Sequence, residues 1–495
     1  MTLSVTNTLT GEREDFESQA DDDVLLYVCG LTVSDDAHLG HARLWMHSDI
    51  MHRWLEYEGY DVHHVENFTD VNEKIAARIG EDDLGADEST VAEHFVGDVI
   101  RDMRGLNLKR AEVYPRVTEH IPEIIDLIET LVERGHAYES NGSVYFDVTT
   151  FDDYGKLSNQ KLDELQSQAE GDEQSEKRNA ADFALWKAGA VTPEEAAEHR
   201  NPDLDPITEP CGETWDSPWG EGRPGWHIEC SAMSMTHLDE TIDIHVGGRD
   251  LVFPHHENEI AQSEAATGNQ FARYWLHVGL LQTDGDKMSS SLGNYFYVAD
   301  ALDEFGVDVI RTFYLSTAYG SEQTYSEETI AEAEERWDRL ERAYEGAVAA
   351  CDSPDARTKV EATDLRETVE SVRENFRSAM NDDFNVREAM AELLGLATAV
   401  NRHLDAGDTY DYRALREAIE TFEDLGGEVF GLSFGEAADD GDVSIAADLV
   451  QLVLDVREAE REAGNYERAD DLRDDLTALG VDVEDGADGA TFRFE

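Results

Sequence analysis

The chain has 495 residues, with 39 basic against 111 acidic side chains and a formal net charge of −72. Its length supplies material for more than one core, and 40% hydrophobic residues with only 10 prolines exclude a linker-dominated, disordered protein. The charge excludes simple electrostatic capture of nucleic acid, because phosphate contacts need Lys and Arg.

The acids are spread along the sequence rather than gathered in a tail. Self-repulsion of this size opposes compaction in dilute buffer, and concentrated salt screens it to a few ångströms. The composition therefore reads as halophilic, adapted to salt. Any RNA binding would lean on shape, stacking and direct hydrogen bonds. No apolar run reaches the roughly 18 residues of a membrane span. The acidic start, with Glu12, Glu14, Asp15 and Glu17, does not read as a signal peptide. The four cysteines, Cys29, Cys211, Cys230 and Cys351, are then expected to be thiols or metal ligands in a cytoplasmic protein.

In chain order, residues 24–30 form a short apolar run ending in Gly30, which predicts a buried strand. An amphipathic helix follows from about His41 to Tyr60, with Leu44, Met51, Trp54 and Leu55 on one face, then a strand over 61–68. Such a βα unit offers an anion site at its helix N-terminus. The stretch from about 150 to 225 is polar, irregular and turn-rich and reads as an insertion. Residues 241–248 alternate into Gly247-Gly248, with Pro254 placed for the first turn of a helix. Residues 275–282 read as a further strand closed by a turn at Asp284-Gly285. Strands alternating with helices imply a Rossmann-like, doubly wound parallel sheet.

Beyond residue 328 the period becomes helical: Trp337, Leu340 and Tyr344; Leu365 to Met380; Met390 to Leu404; Leu415 to Phe422. These predict an α-helical bundle, followed by a small mixed unit with helices near 444–464 and 467–479 and a strand pair. The expected organisation is 1–150 and 226–327 as two halves of one catalytic domain, 151–225 as the inserted connective region, 328–437 as the bundle and 443–495 as the terminal unit.

Three elements can carry chemistry. His38-Leu39-Gly40-His41 at a helix start can cradle phosphate with backbone N–H groups and imidazoles. Read alone, the segment is a weak signal, and a tight turn with two surface histidines is the reading it favours. Lys287-Met288-Ser289-Ser290-Ser291 can neutralise a leaving pyrophosphate, although such a run taken alone reads first as an ordinary solvated loop. His255 and Glu259 lie i, i+4, with Cys230 upstream and Cys29 at a strand end. A Cys/Cys/His/Glu set suits zinc by ligand type, but the spacing is too loose to establish a site, and single cysteines are more often inert core residues.

Taken together the motifs resemble a class I aminoacyl-tRNA synthetase, and specifically the cysteinyl family. His38 to His41 is similar to the family's His-Ile-Gly-His, and Lys287 to Ser291 to its Lys-Met-Ser-Lys-Ser. Gly225-Trp226-His227-Ile228-Glu229-Cys230, Pro254-His255-His256-Glu257-Asn258-Glu259, Asn67-Phe68-Thr69-Asp70 and Met380-Asn381-Asp382-Asp383-Phe384-Asn385 continue the pattern over nearly the whole chain. The resemblance implies a zinc held by Cys29, Cys230, His255 and Glu259, which would select the substrate thiolate over a serine hydroxyl. It implies His38, His41 and Lys287 as catalytic groups. Gly40, Asp250, Lys287 and Ser290 would meet ATP and its Mg2+, and Thr69, Trp226 and His245 the amino acid. Cysteine, ATP and cysteine tRNA are the implied partners, in a family commonly monomeric.

Departures stand beside the matches. Leu31, Ser34 and Asp36 replace a usual Pro and two tyrosines, and Ser290 replaces the second lysine of its motif. Phe492 stands where a Trp is common, and residues about 190–213, with Cys211, look like an extra insertion. A related ligase that joins cysteine to an amino-sugar conjugate shares the zinc set but lacks a counterpart of residues 328–495. A non-catalytic RNA-binding paralogue and a structural zinc protein are the remaining rivals. Intact His38, His41 and Lys287 argue against the former, and Glu259 as a ligand against the latter.

Overall fold

The apolar run around residue 24 forms β1 (Asp23–Thr32) at the centre of a four-stranded sheet. It feeds α1 (Leu39–Tyr57) and returns in β2 (Asp61–Thr69). The second half supplies α2 (Trp226–His237), β3 (Ile242–Gly248), α3 (Glu257–Thr267) and β4 (Ala272–Val278). The strand order is β4-β3-β1-β2, and every neighbouring pair is parallel. The chain therefore winds one way from β1 and the other way from β3, which makes the gap between their carboxyl ends the switch point where ligands bind. Parallel sheets are covered on both faces, and Val24, Leu26, Tyr27 and Val28 of β1 are all buried.

The computed structural model describes residues 2–20, 22–81, 84–161, 176–202, 204–283, 286–288 and 296–434, then scattered helical residues between 450 and 476 and two strands. Among these residues no helix is long and apolar enough to cross a membrane. The chain divides into two units, Met1–Leu432 and Ser433–Glu495. In the second, Val481–Gly486 pairs antiparallel with Gly489–Phe494, setting Val483 opposite Phe492. The boundary expected between 437 and 443, and most of the helices expected at 444–464 and 467–479, lie outside the described residues.

Several local expectations change. The first helix begins at Leu39 rather than His41, because His38 caps it: its backbone N–H meets His41 Nδ1 at 3.3 Å. Pro254 does not open α3. It lies in a wide turn, Val252–His256, interrupted by extended Phe253 (φ −140°, ψ 131°), since the residue before a proline is driven out of the α region. The strand expected over 275–282 is two strands in different sheets. β4 ends at Val278, and Leu281–Thr283 pairs parallel with Gln323–Tyr325 and antiparallel with Asp286–Lys287. The turn expected at Asp284-Gly285 lies outside the described residues.

The insertion is not irregular. It contains a five-stranded sheet ordered Ala137–Ser140, Ser143–Phe146, Phe183–Ala188, Gly220–Pro224, Trp215–Ser217, antiparallel throughout, so it starts before residue 150. The helical bundle forms as patterned, from Glu327–Cys351, Thr363–Met380, Val386–Asp405 and Tyr412–Thr421. Its Asn381-Asp382-Asp383 turn is tied to the amino-terminal hairpin: Ser4 N–H donates to Asn381 O at 3.0 Å, and Thr6 N–H to Asp383 Oδ1 at 2.7 Å.

Candidate active site and metal centre

The pairing of β1 with β2 slips between Val28 and Leu31, so Cys29 and Gly30 sit at an irregularity where the strand turns its end toward the switch point. Gly30 is required there: a Cβ would lie 1.7 Å from the Asn67 carbonyl oxygen. Asn67 fixes the same corner with its side chain. Its Oδ1 accepts the Tyr27 hydroxyl at 2.8 Å and the Gly30 N–H at 2.9 Å, and lies 3.7 Å from Cys230 Sγ.

Cys230 comes from α2, and His255 and Glu259 from the turn and first residues leading into α3. Their donor atoms and Cys29 Sγ all lie within 4.8 Å of one another, and all four side chains are buried. Cys29 Sγ is 3.8 Å from Cys230 Sγ and 3.5 Å from His255 Nε2, and His255 Nε2 is 2.8 Å from Glu259 Oε1. The other atoms of the ligand candidates are held from behind. His227 Nδ1 is 2.9 Å from His255 Nδ1, and His245 Nε2 is 2.7 Å from Glu259 Oε2. His245 itself stacks on Trp275 with centroids 4.2 Å apart. Two thiols, one imidazole nitrogen and one carboxylate oxygen, the imidazole and the carboxylate each oriented by a second partner, fit a zinc ion.

The site's electrostatics follow from this crowding. The hydrogen bond from the Cys29 thiol draws Cys230 down to about 6 against the effect of burial, while the same bond and burial push Cys29 up. Burial opposes the charge of His255, but Glu259 and Cys230 outweigh it and raise the imidazole to about 10. Burial likewise opposes the Glu259 carboxylate, and His245 and His255 hold it down to about 2.

The structure gathers Trp226, His245 and Thr69 around this centre. The Trp226 ring is 40% exposed and lies 4.3 Å from the His255 ring, the only open wall among these side chains. Thr69 is buried and donates to Glu229 Oε2 at 3.4 Å. At the head of α1 the rings of His38 and His41 stack at 3.7 Å, and Gly40 leaves room for them: its Cβ would meet the His38 ring at 2.7 Å. Asp250 is exposed beside Gly248 and close enough to contribute to the rise at Cys29. The side chain of Lys287 and the whole of Ser290 lie outside the described residues.

Tyr27, Asn67, Glu229 and His227 carry no role in the sequence reading yet complete the site. The period-two alternation of β2 offered one signal, since Asn67 shares a strand face with Thr69.

A parallel sheet with a switch-point site, an inserted sheet between its halves and a helical region after it define a class I aminoacyl-tRNA synthetase. The family model described as "tRNA synthetases class I (C) catalytic domain" matches residues 15–335, a DALR domain matches 375–435, and a "Cysteinyl-tRNA ligase anticodon binding domain" matches 447–493. Among solved structures, a Mycobacterium tuberculosis methionyl-tRNA synthetase in complex with methionyl-adenylate shares the fold at TM-score 0.62 and 16% identity, over 84% of this chain and 93% of that one. The cysteine--tRNA ligases of Haloarcula marismortui and Halobacterium salinarum are 68% and 62% identical over 100% of both chains. That of Thermococcus onnurineus is 43% identical over 100% of this chain and 99% of its own. The chain belongs to the cysteine--tRNA ligase family.

Proposed function

We propose that the chain activates L-cysteine with ATP and transfers it to the 3′ end of cysteine tRNA, in the cytoplasm and as a monomer. In the first step the cysteine carboxylate attacks the α-phosphate, forming cysteinyl-adenylate and releasing pyrophosphate. In the second a terminal ribose hydroxyl attacks the adenylate carbonyl, forming the ester and releasing AMP. The observation that carries the reading is the convergence of Cys29, Cys230, His255 and Glu259 at the sheet's switch point. These residues would hold one zinc, which when bound favours a thiolate ligand over a hydroxyl and so separates cysteine from serine.

The chain's own groups do the rest. Trp226 closes the open side of the thiol pocket, with Thr69 and His245 lining it. His38 and His41 present imidazoles to the phosphates of Mg-ATP at the head of α1, and Gly40 keeps that approach clear. Lys287, Ser290 and Asp250 complete the nucleotide contacts. The region 328–437 and the terminal unit 443–495 meet the tRNA. Family and full-length relatives support this division of labour.

The test is cysteine-dependent ATP–pyrophosphate exchange in molar potassium chloride beside a serine control, with zinc counted on the same sample. Exchange with cysteine alone, about one zinc per chain, and loss of both in Cys230→Ala are expected. Equal exchange with serine, or full exchange without metal, would overturn the reading.

A further inference from the structure

Arg43 lies in the first turns of α1, immediately after the His38–His41 segment, yet its side chain is only 1% exposed. Burying a guanidinium is costly unless a partner offsets it, and a chain with 111 acids has partners to spare. Among the described residues none is used. Nε donates to the Gly279 carbonyl at 2.7 Å, Nη2 to the Ser321 and Ala318 carbonyls at 2.6 and 3.2 Å, and Nη1 to Gln323 Oε1. Gln323 is held in turn by donating to the Phe313 carbonyl at 2.7 Å. Burial draws the guanidinium down to about 10, so it stays charged at neutral pH.

Two of the four acceptors border one small sheet. Gly279 stands two residues before the strand Leu281–Thr283, and Gln323 opens the strand Gln323–Tyr325 that pairs with it. The third strand of that small sheet, Asp286–Lys287, ends at the lysine of the second motif. Gly279 is packed too closely to shift, since a Cβ there would lie 2.2 Å from Ser321 O. After the Lys287 loop the chain returns to the first motif. Leu39 N–H donates to Phe296 O at 3.0 Å, Val298 N–H to Ala37 O at 2.9 Å, and His38 bridges Tyr297. Both flanks of the Lys287 loop thus dock on the start of α1, the leading one with the Arg43 fork among its contacts.

We infer that Arg43 is a positioning residue for adenylate formation, fixing the strands that carry Lys287 against the helix that carries His38 and His41. The inference rests on the reading of Lys287 as a phosphate-binding group. The planar fork of donors sets direction as well as distance, and an ammonium at the same place satisfies fewer of these carbonyls.

The test uses full-length, zinc-loaded protein: Arg43→Gln, Arg43→Lys, Lys287→Ala and the double variant Arg43→Gln/Lys287→Ala, all in pyrophosphate exchange. Arg43→Gln is expected to lower kcat about tenfold, with zinc content and the KM for cysteine within about twofold, and Arg43→Lys to restore little. In the Lys287→Ala background the same change is expected to cost less than about twofold, because its effect runs through Lys287. Gln323→Ala, which removes one acceptor, gives the same pattern at smaller size and carries the test if Arg43→Gln does not fold. Multiplicative losses in the double variant, or full activity in Arg43→Gln, would overturn the inference alone. Full activity in Lys287→Ala would overturn the reading of the loop and the inference with it.

Discussion

Zinc added to metal-free protein near pH 8 is expected to displace about two protons per ion, a number that follows from the charge states of the four donors. A zinc set of this kind needs two thiolates, a neutral imidazole and a carboxylate. In the metal-free site Glu259 is already ionised, held down to about 2, and Cys230 is already a thiolate near pH 8, drawn down to about 6. Cys29 keeps its proton, because it donates it to Cys230 and is buried. His255 keeps a second proton, raised to about 10 despite burial by Glu259 and Cys230. Binding must expel both. The apparent affinity therefore rises about a hundredfold per pH unit between pH 6 and 10, or about 2.7 kcal/mol. Below about pH 6 Cys230 is protonated as well and the count moves toward three. Isothermal titration in molar potassium chloride, across buffers of different ionisation enthalpy, reads the number directly. Glu259→Gln removes the charge that holds the His255 proton, and release should fall to about one. A wild-type release near zero, or one unaltered in Glu259→Gln, would refute this account.

Two further outcomes concern stability. Glu66 is buried on β2, and burial pushes its carboxyl from 4.5 up to about 8. The folded state then binds the extra proton, so its contribution is complete below about pH 4.5 and is lost by about 1.4 kcal/mol per unit as pH rises to about 8. Glu66→Gln should remove that slope and raise the denaturant midpoint above pH 7; an unchanged midpoint would count against it. Asp49 accepts Arg311 Nη2 at 2.6 Å, Lys109 N–H at 2.8 Å and Arg53 Nε at 2.9 Å, and Arg311 is fully buried. Asp49→Ala leaves an uncompensated guanidinium and should cost about 3–5 kcal/mol in chemical denaturation, part of it recovered by adding Arg311→Met. A loss under about 1 kcal/mol would contradict that.

The winding of β1, α1 and β2 was legible because local pattern decides it: a short apolar run, a 3.6-residue stripe and a second run. The bundle was legible for the same reason. The inserted sheet was not, because its strands are short and its central pairings span long gaps, Ser143–Phe146 with Phe183–Ala188 and Phe183–Ala188 with Gly220–Pro224. Tertiary contact also broke the strand after Val278, where Gly279 passes against Ser321, and no spacing in the sequence announces that approach. The metal set was half legible. His255 and Glu259 share a helical spacing, but positions 29 and 230 are joined to them only by the parallel sheet. Arg43 was invisible for a different reason: an arginine in an amphipathic helix reads as solvated, and only the fold shows it buried among carbonyls.

That last point bears on how so acidic a chain handles anionic substrates. Cysteine's carboxylate, ATP and tRNA must approach a protein of net charge −72. In molar salt the screening length is about 3 Å, so distant acids repel little and distant cations attract little. Only groups in contact with the phosphates count, and what matters is where each one is held. If the proposed role of the Lys287 motif holds, serine in place of lysine at 290 forfeits one direct contact rather than a long-range field. On the proposed reading the burden falls on the parts that set position: the capped head of α1, the stacked pair His38 and His41, and the Arg43 fork behind the Lys287 strand. On that proposal, the same salt that permits the acidic surface makes geometry, rather than net charge, the source of phosphate affinity.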